Sequence, residues 1–203
     1  MKKKGPSKDD TALLPPFPAL TLAQIQVPNT PDAFSAAAAE IMAAGSAGFD
    51  TEARPTFHVG QVSDGPHIVQ FALADKAFIF QTHHAAGCAA LVDLLQSAHL
   101  LKAGFGLKSD CSQIRHKLGA QLAGVLDLDH LFRKDGYSGD MGVRAAVGLM
   151  LGQRFHKSKK LTTSNWSLPE LSAPQLLYAA NDAYAAFKVL EAMRLQRPEL
   201  LTG

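Results

Sequence analysis

Gly48-Phe49-Asp50-Thr51-Glu52-Ala53-Arg54 is the stretch on which the fold turns. It follows an alanine-rich segment and a Gly45-Ser46-Ala47-Gly48 turn, and reads as a short strand. Side chains alternate along a strand, so Asp50 and Glu52 leave one face about 7 Å apart. Carboxylates held that close on a buried strand repel each other unless a cation neutralises them. A hard divalent ion with oxygen ligands meets that need, and Mg²⁺ or Mn²⁺ works in pairs in phosphoryl chemistry. Taken alone, Asp-x-Glu also describes a solvated edge strand, so the choice rests on what flanks it.

Upstream, Thr30-Pro31-Asp32 suits a helix start: Thr caps, Pro fits the first turn and Asp favours the positive end. Ala33 to Ala44 then has high helix propensity. Downstream, after a connection containing Gly and Pro, residues 67–73 and 77–80 flank Ala74-Asp75-Lys76 as a hairpin. Three antiparallel strands beginning at the Asp50 strand are the simplest arrangement. Among the hairpin phenylalanines 71, 78 and 80, alternation predicts some facing the core and some facing the surface. Ala85 to Ala98 reads as a helix, Leu100 to Phe105 as a buried strand parallel to the first, and Ser109 to Leu118 as another helix. Residues 125–128 form a further strand candidate, and 143–151 and 173–195 are helical. The sum is α/β, a mixed sheet flanked by helices, with no internal repeat.

The 203 residues are 47% hydrophobic and 19% charged, ordinary for a globular chain, with one domain expected over 31–203. A net charge of +2 gives no overall attraction to nucleic acid, so any such attraction is local. Cys88 and Cys111 form no C-x-x-C pair, which points to a reducing compartment, and a cytoplasmic location is expected. No apolar run approaches the ~20 residues of a membrane span. Residues 1–30, with Lys2-Lys3-Lys4 and Leu14-Pro15-Pro16-Phe17-Pro18, read as a flexible tail. The densest cationic cluster lies in a polar loop over 152–168, holding Arg154, Lys157, Lys159 and Lys160 and ending in Asn165-Trp166-Ser167. It reads either as a phosphate-contacting lip or as a solvated loop.

Two more acids complete the pattern. Tyr178 and Asp182 lie four apart on the last helix and so share a face, where a phenol can hold or deprotonate a water. Asp110 follows Phe105-Gly106-Leu107-Lys108-Ser109 in the first turn of a helix, where the dipole favours a carboxylate. Other motifs fail. Gly104-Phe105-Gly106 lacks the third glycine of a dinucleotide fingerprint, no Gly precedes Lys108 as a phosphate loop requires, and no G-x-S-x-G occurs. His83 and His84, read as strand neighbours on opposite faces, make a poor metal pair.

D-x-E, a glycine turn closing on Asp110, and Y-x-x-x-D, in that order, resemble the DEDDy 3′–5′ exonucleases of the DnaQ-like superfamily. Gly104 to Asp110 and Asn165-Trp166-Ser167 with Leu177-Tyr178-Ala179-Ala180-Asn181-Asp182 are most similar to the branch of the Werner syndrome helicase exonuclease domain and its stand-alone relatives. The resemblance covers roughly residues 46–195. It implies a ribonuclease H-like fold and two divalent ions, Mg²⁺ or Mn²⁺. Asp50 would bridge both ions, Glu52 and Asp182 would complete the first site, and Asp110 would reach the second. Tyr178 would orient the attacking water. Thr51, Arg154, Lys157, Lys159, Lys160 and Trp166 are the candidates for touching the nucleic acid, Trp166 either by stacking on a base or, more simply, as packing.

Two departures from the family pattern matter. Gly106 stands where many relatives carry Asn, and the chain ends soon after the catalytic helix, without the C-terminal helical domains of ribonuclease D. Leu177, five residues before Asp182, argues against the histidine-using branch. The expected activity is removal of nucleoside 5′-monophosphates from DNA 3′ ends, with a setting in DNA repair. RNA trimming is the alternative, and a silent nucleic-acid-binding module is a weaker one. Self-association or a repair-protein partner is compatible with the sequence, which identifies neither.

Overall fold

The computed structural model describes residues 2–56 and 63–201. The connection expected after the Asp50 strand therefore falls partly, at 57–62, outside the described residues. The chain runs α1 (Lys8–Ala12), β1 (Ile25–Gln26), α2 (Pro31–Ala44), β2 (Ser46–Glu52), β3 (Ile68–Ala72), β4 (Ala77–Gln81) and α3 (Cys88–Gln96). It continues with β5 (Leu101–Gly104), α4 (Lys108–Leu118), β6 (Val125–Asp127), α5 (Leu128–Lys134), α6 (Val143–Leu151), α7 (Lys159–Thr162) and α8 (Ala173–Gln196). Six strands form one sheet in the order β1-β4-β3-β2-β5-β6. The β2–β3 and β3–β4 pairs are antiparallel, and β2–β5, β5–β6 and β1–β4 are parallel. This is the mixed sheet that the sequence predicts.

Local chemistry sets the boundaries. Thr30 caps α2 by accepting a hydrogen bond from the Ala33 amide at 3.2 Å, Pro31 opens the helix, and Gly45 closes it. The turn expected at 45–48 is shorter than that, because Ser46 to Gly48 already pair with Leu101 to Ala103. One face of the sheet packs on α2, α3 and α4, and the other on α8 and α6. With both faces covered, every residue of β3 and β4 is buried, so Phe71, Phe78 and Phe80 are all core. The expected split between core and surface fails for that reason. His83 and His84 lie in the turn after β4 rather than in a strand, with ring centroids 4.2 Å apart.

Lys102 is fully buried on β5 and donates to the carbonyls of Leu94, Ser97 and Leu100 at 2.9–3.0 Å. The ammonium thus closes the carbonyl end of α3. Burial still lowers its pKa to about 8.

The stretch expected as a free tail makes contacts that a free tail would lack. Phe17 and Leu20 are buried, β1 extends the sheet along β4, and the Leu20 amide donates to Asn181 Oδ1 of α8 at 2.7 Å. Two aromatic and aliphatic side chains separated by prolines are enough to pin the segment, and proline lowers the entropy lost in doing so. Lys3 pairs with Asp135 at 3.0 Å. Among the described residues no helix is long and apolar enough to cross a membrane.

Candidate active site

Two glycines let the site form. An added Cβ on Gly48 would lie 1.9 Å from the Ala183 carbonyl oxygen and 2.8 Å from the Phe187 amide. Only glycine lets α8 settle this closely onto β2. That contact carries Asp182, the neighbour of Ala183, onto the face of β2 that bears Asp50 and Glu52. Beyond Gly48 the parallel pairing with β5 ends, and β5 turns away through Gly106 at φ 67° into α4. The carboxylates therefore sit at the carboxyl end of the central strand, where parallel strands part and ligands gather in α/β sheets.

Asp50, Glu52 and Asp182 each offer a carboxylate oxygen, and these atoms lie within 4.8 Å of one another. Burial raises the pKa of Asp50 to about 8, and repulsion from Asp182 adds to the shift. Burial and the Asp50 charge raise Glu52 to about 9. Burial also raises Asp182, against the pull of Lys157. The Lys157 ammonium lies 2.7 Å from Asp182 Oδ2 and 5.5 Å from the centre of the Tyr178 ring. Burial opposes that ammonium, yet Asp182 and Asp50 hold its pKa above the ordinary lysine value. Burial and Asp182 keep the Tyr178 phenol protonated well beyond neutral pH. Its hydroxyl is 2.8 Å from Thr162 Oγ1. A neutral phenol orients a water; it does not deprotonate one.

Asp110 is not part of this trio. Thr51 points away from Asp50 on the alternating strand, and its hydroxyl donates to Asp110 Oδ1 at the head of α4. Burial raises Asp110, opposed by that hydrogen bond. The Thr51 hydroxyl is thus engaged with an acid. Trp166 is 1% exposed and packs against Tyr178 with centroids 5.8 Å apart, leaving no face for a base. Its indole supports the phenol and anchors the turn that leads into α8. Lys157 serves the carboxylates as an internal counter-ion, and Arg154 donates to the Ala12 carbonyl at 2.7 Å. Lys159 and Lys160 are exposed on the single turn α7, inside what reads from sequence as unbroken loop.

Two residues escape the sequence reading. Asp127, at the end of β6, accepts from the amides of Gly106 and Leu107, both at 3.0 Å, and of Asp129 at 3.1 Å. It fixes the turn that aims α4 and Asp110. Its position before a helix start was the available signal. Gln70 faces Asp50 across the β2–β3 ladder and is fully buried, with neither amide atom hydrogen-bonded. Nothing local in the sequence marks it.

The raised carboxylates give a pH prediction. Folded values near 8 and 9, against ordinary values of 3.8 and 4.5, mean the folded chain holds extra protons between about pH 4 and pH 9. Stability without metal should therefore fall as pH rises through that window. The melting temperature in chelator is expected to drop from pH 5 to pH 9, less steeply in Asp50→Ala. Equal slopes for the two proteins would contradict the assignment.

The sequence profile of the 3′–5′ exonuclease family matches residues 25–197. An Arabidopsis thaliana 3′–5′ exonuclease is 27% identical over 77% of this chain and 54% of its own length. The mouse bifunctional 3′–5′ exonuclease/ATP-dependent helicase WRN is 28% identical over 72% of this chain and 11% of its own length. The chain thus spans about half of the first relative and a small part of the second. Among solved structures, the Aedes aegypti Nibbler EXO domain superposes with a TM-score of 0.74 at 22% identity, covering 89% of this chain and 92% of that one. Trypanosoma brucei RNase D in complex with RNA U12 gives 0.75 at 20% identity, covering 85% and 63%. These likenesses fix the fold as ribonuclease H-like. With its sheet, its acidic trio and a profile match over most of its length, the chain belongs to the 3′–5′ exonuclease family of the DnaQ-like superfamily.

Proposed function

We propose that this exonuclease shortens DNA from its 3′ end using two divalent ions, Mg²⁺ or Mn²⁺, with Asp50, Glu52, Asp110, Tyr178 and Asp182 as its working residues. The observation that carries the reading is the convergence of Asp50, Glu52 and Asp182 into one group of oxygen donors. The donor set fits hard cations: it is all carboxylate, largely withdrawn from water, and its own repulsion raises its proton affinity. Asp50, Glu52 and Asp182 would hold one ion, with Asp110 and Asp50 serving a second. Bound there, the ions would activate the attacking water and neutralise charge on the departing 3′ oxygen.

The chain's own groups supply the rest. The Tyr178 hydroxyl, steadied by Thr162 and backed by Trp166, would place the water for attack. A cavity of about 370 Å³ with Phe49, Phe105 and Val143 among its walls opens on Asp50, Asp182 and Lys157, and would seat the terminal nucleotide. The loop cations Arg154, Lys159 and Lys160 would meet phosphates. Tyr178→Phe is expected to lower kcat roughly a hundredfold and leave Mn²⁺ affinity unchanged. An equal loss of Mn²⁺ binding by calorimetry would reassign the phenol.

DNA is the first reading, carried by the resemblance of the site motifs to the Werner syndrome helicase exonuclease branch. RNA is the second reading, because a solved neighbour of matching fold holds RNA U12. Matched 5′-labelled DNA and RNA strands, incubated with Mg²⁺ or Mn²⁺, separate the two by which one yields a ladder shortened from the 3′ end. No ladder on either polymer would refute the proposal.

A further inference from the structure

Beside the acidic site runs a second cavity of about 670 Å³, whose wall is supplied partly by the N-terminal segment. Lys8, Arg144, Arg154, His156, Lys157 and Lys159 line it, and no carboxylate does. Lys8, Arg144 and Lys159 have no carboxylate within 4.0 Å among the described residues. Arg144 and Lys157 also line the cavity that opens on Asp50 and Asp182, so the two spaces adjoin at those residues. Exposed cations gathered on one wall without partners repel one another, and the arrangement is relieved by a polyanion.

The N-terminal wall is built, not draped. Ser7 caps α1 through a reciprocal pair with Asp10. Thr11 is buried, and a Cβ on Gly148 of α6 would stand 2.4 Å from its methyl group, so the glycine makes room for α1. Arg154 ties the end of α1 to the loop through the Ala12 carbonyl, the Phe17 amide donates to the Arg154 carbonyl at 3.0 Å, and the Arg154 amide donates to the Pro15 carbonyl at 2.8 Å. The α1 side of the wall precedes the 25–197 span that matches the family.

We propose that α1, the start of α6 and the 154–159 loop form a channel for the sugar-phosphate backbone of the strand being shortened, upstream of the scissile bond, with Lys8 and Arg144 as phosphate contacts. This rests on the exonuclease reading of the adjoining site. The channel would grip single-stranded nucleic acid through phosphates, independently of base sequence.

The test compares wild type with Lys8→Ala, whose side chain is exposed and lines the second cavity but not the one that opens on Asp50 and Asp182. Binding of a fluorescent 20-nucleotide oligothymidylate is followed by anisotropy, with Ca²⁺ replacing Mg²⁺, across a salt series. Hydrolysis of the p-nitrophenyl ester of thymidine 5′-monophosphate in Mn²⁺ is measured in parallel. The variant is expected to bind roughly threefold more weakly at low salt, with a salt slope smaller by about 0.7 for the one phosphate lost. It is expected to hydrolyse the small ester as wild type does. Unchanged affinity and slope, or loss of ester hydrolysis, would overturn the channel. Failure of wild type to shorten any strand would instead overturn the exonuclease reading, and the binding comparison would still decide the channel.

Discussion

Asp50→Ala is expected to slow nucleotide release roughly a thousandfold or more while leaving the chain folded. In the absence of metal, it should be more stable than wild type at neutral pH. Both effects have one origin. Asp50 is withdrawn from water and faces Glu52 and Asp182, and its pKa near 8 measures how poorly the site tolerates its charge. Removing it relieves Glu52, whose second-largest perturbation is the Asp50 charge. Lys157 keeps its 2.7 Å contact with Asp182, so the surroundings stay paired. The same change deletes the donor that the proposed mechanism shares between both cation positions. A rate assay on a labelled strand and a melt in chelator check the two halves. Retained activity would sink the role given to Asp50, and a lowered melting temperature would sink the electrostatic account.

Gly48→Ala should be the most damaging single methyl group in the sheet. The new carbon would fall 1.9 Å from a carbonyl oxygen and 2.8 Å from an amide nitrogen, both backbone atoms of α8. No side-chain rotation relieves that, so the helix must lift off β2. The helix buries fifteen residues, among them Ala179, Ala180, Ala183 and Ala186 toward the sheet, and all lose contact as it moves. Overpacking commonly costs ~1–3 kcal/mol, and a backbone clash of this kind belongs at or above the upper end. Because Asp182 rides on the same turn, Mn²⁺ affinity and activity should fall with stability. A variant that melts like wild type and binds Mn²⁺ equally would show that this contact does not set the site.

Much of this was legible because it is local or periodic. The Thr30-Pro31-Asp32 start, the 74–76 hairpin turn and the long last helix follow from capping and propensity, and the structure bears them out. The union of Asp50 and Glu52 follows from strand alternation, and that of Tyr178 and Asp182 from helical spacing. What sequence missed depends on what covers each element. Phe71, Phe78 and Phe80 are all buried because helices cover both sheet faces, a case in which a near-continuous apolar run replaces alternation. Asp110 approaches β2 from the Thr51 side, since α4 lies across the sheet from α8. Lys157 looks in sequence like one cation among several; only the fold sets it on Asp182. The prolines at 15, 16 and 18 suggest a loose tail, whereas Phe17 between them is an anchor.

The most direct test of the central claim is release of nucleoside 5′-monophosphates from a 5′-labelled strand while Mn²⁺ is titrated against chelator. Release should rise with free Mn²⁺, proceed from the 3′ end, and vanish in excess chelator. Continued 3′ shortening in excess chelator, or products carrying a 3′ phosphate, would contradict a cation-loaded carboxylate site.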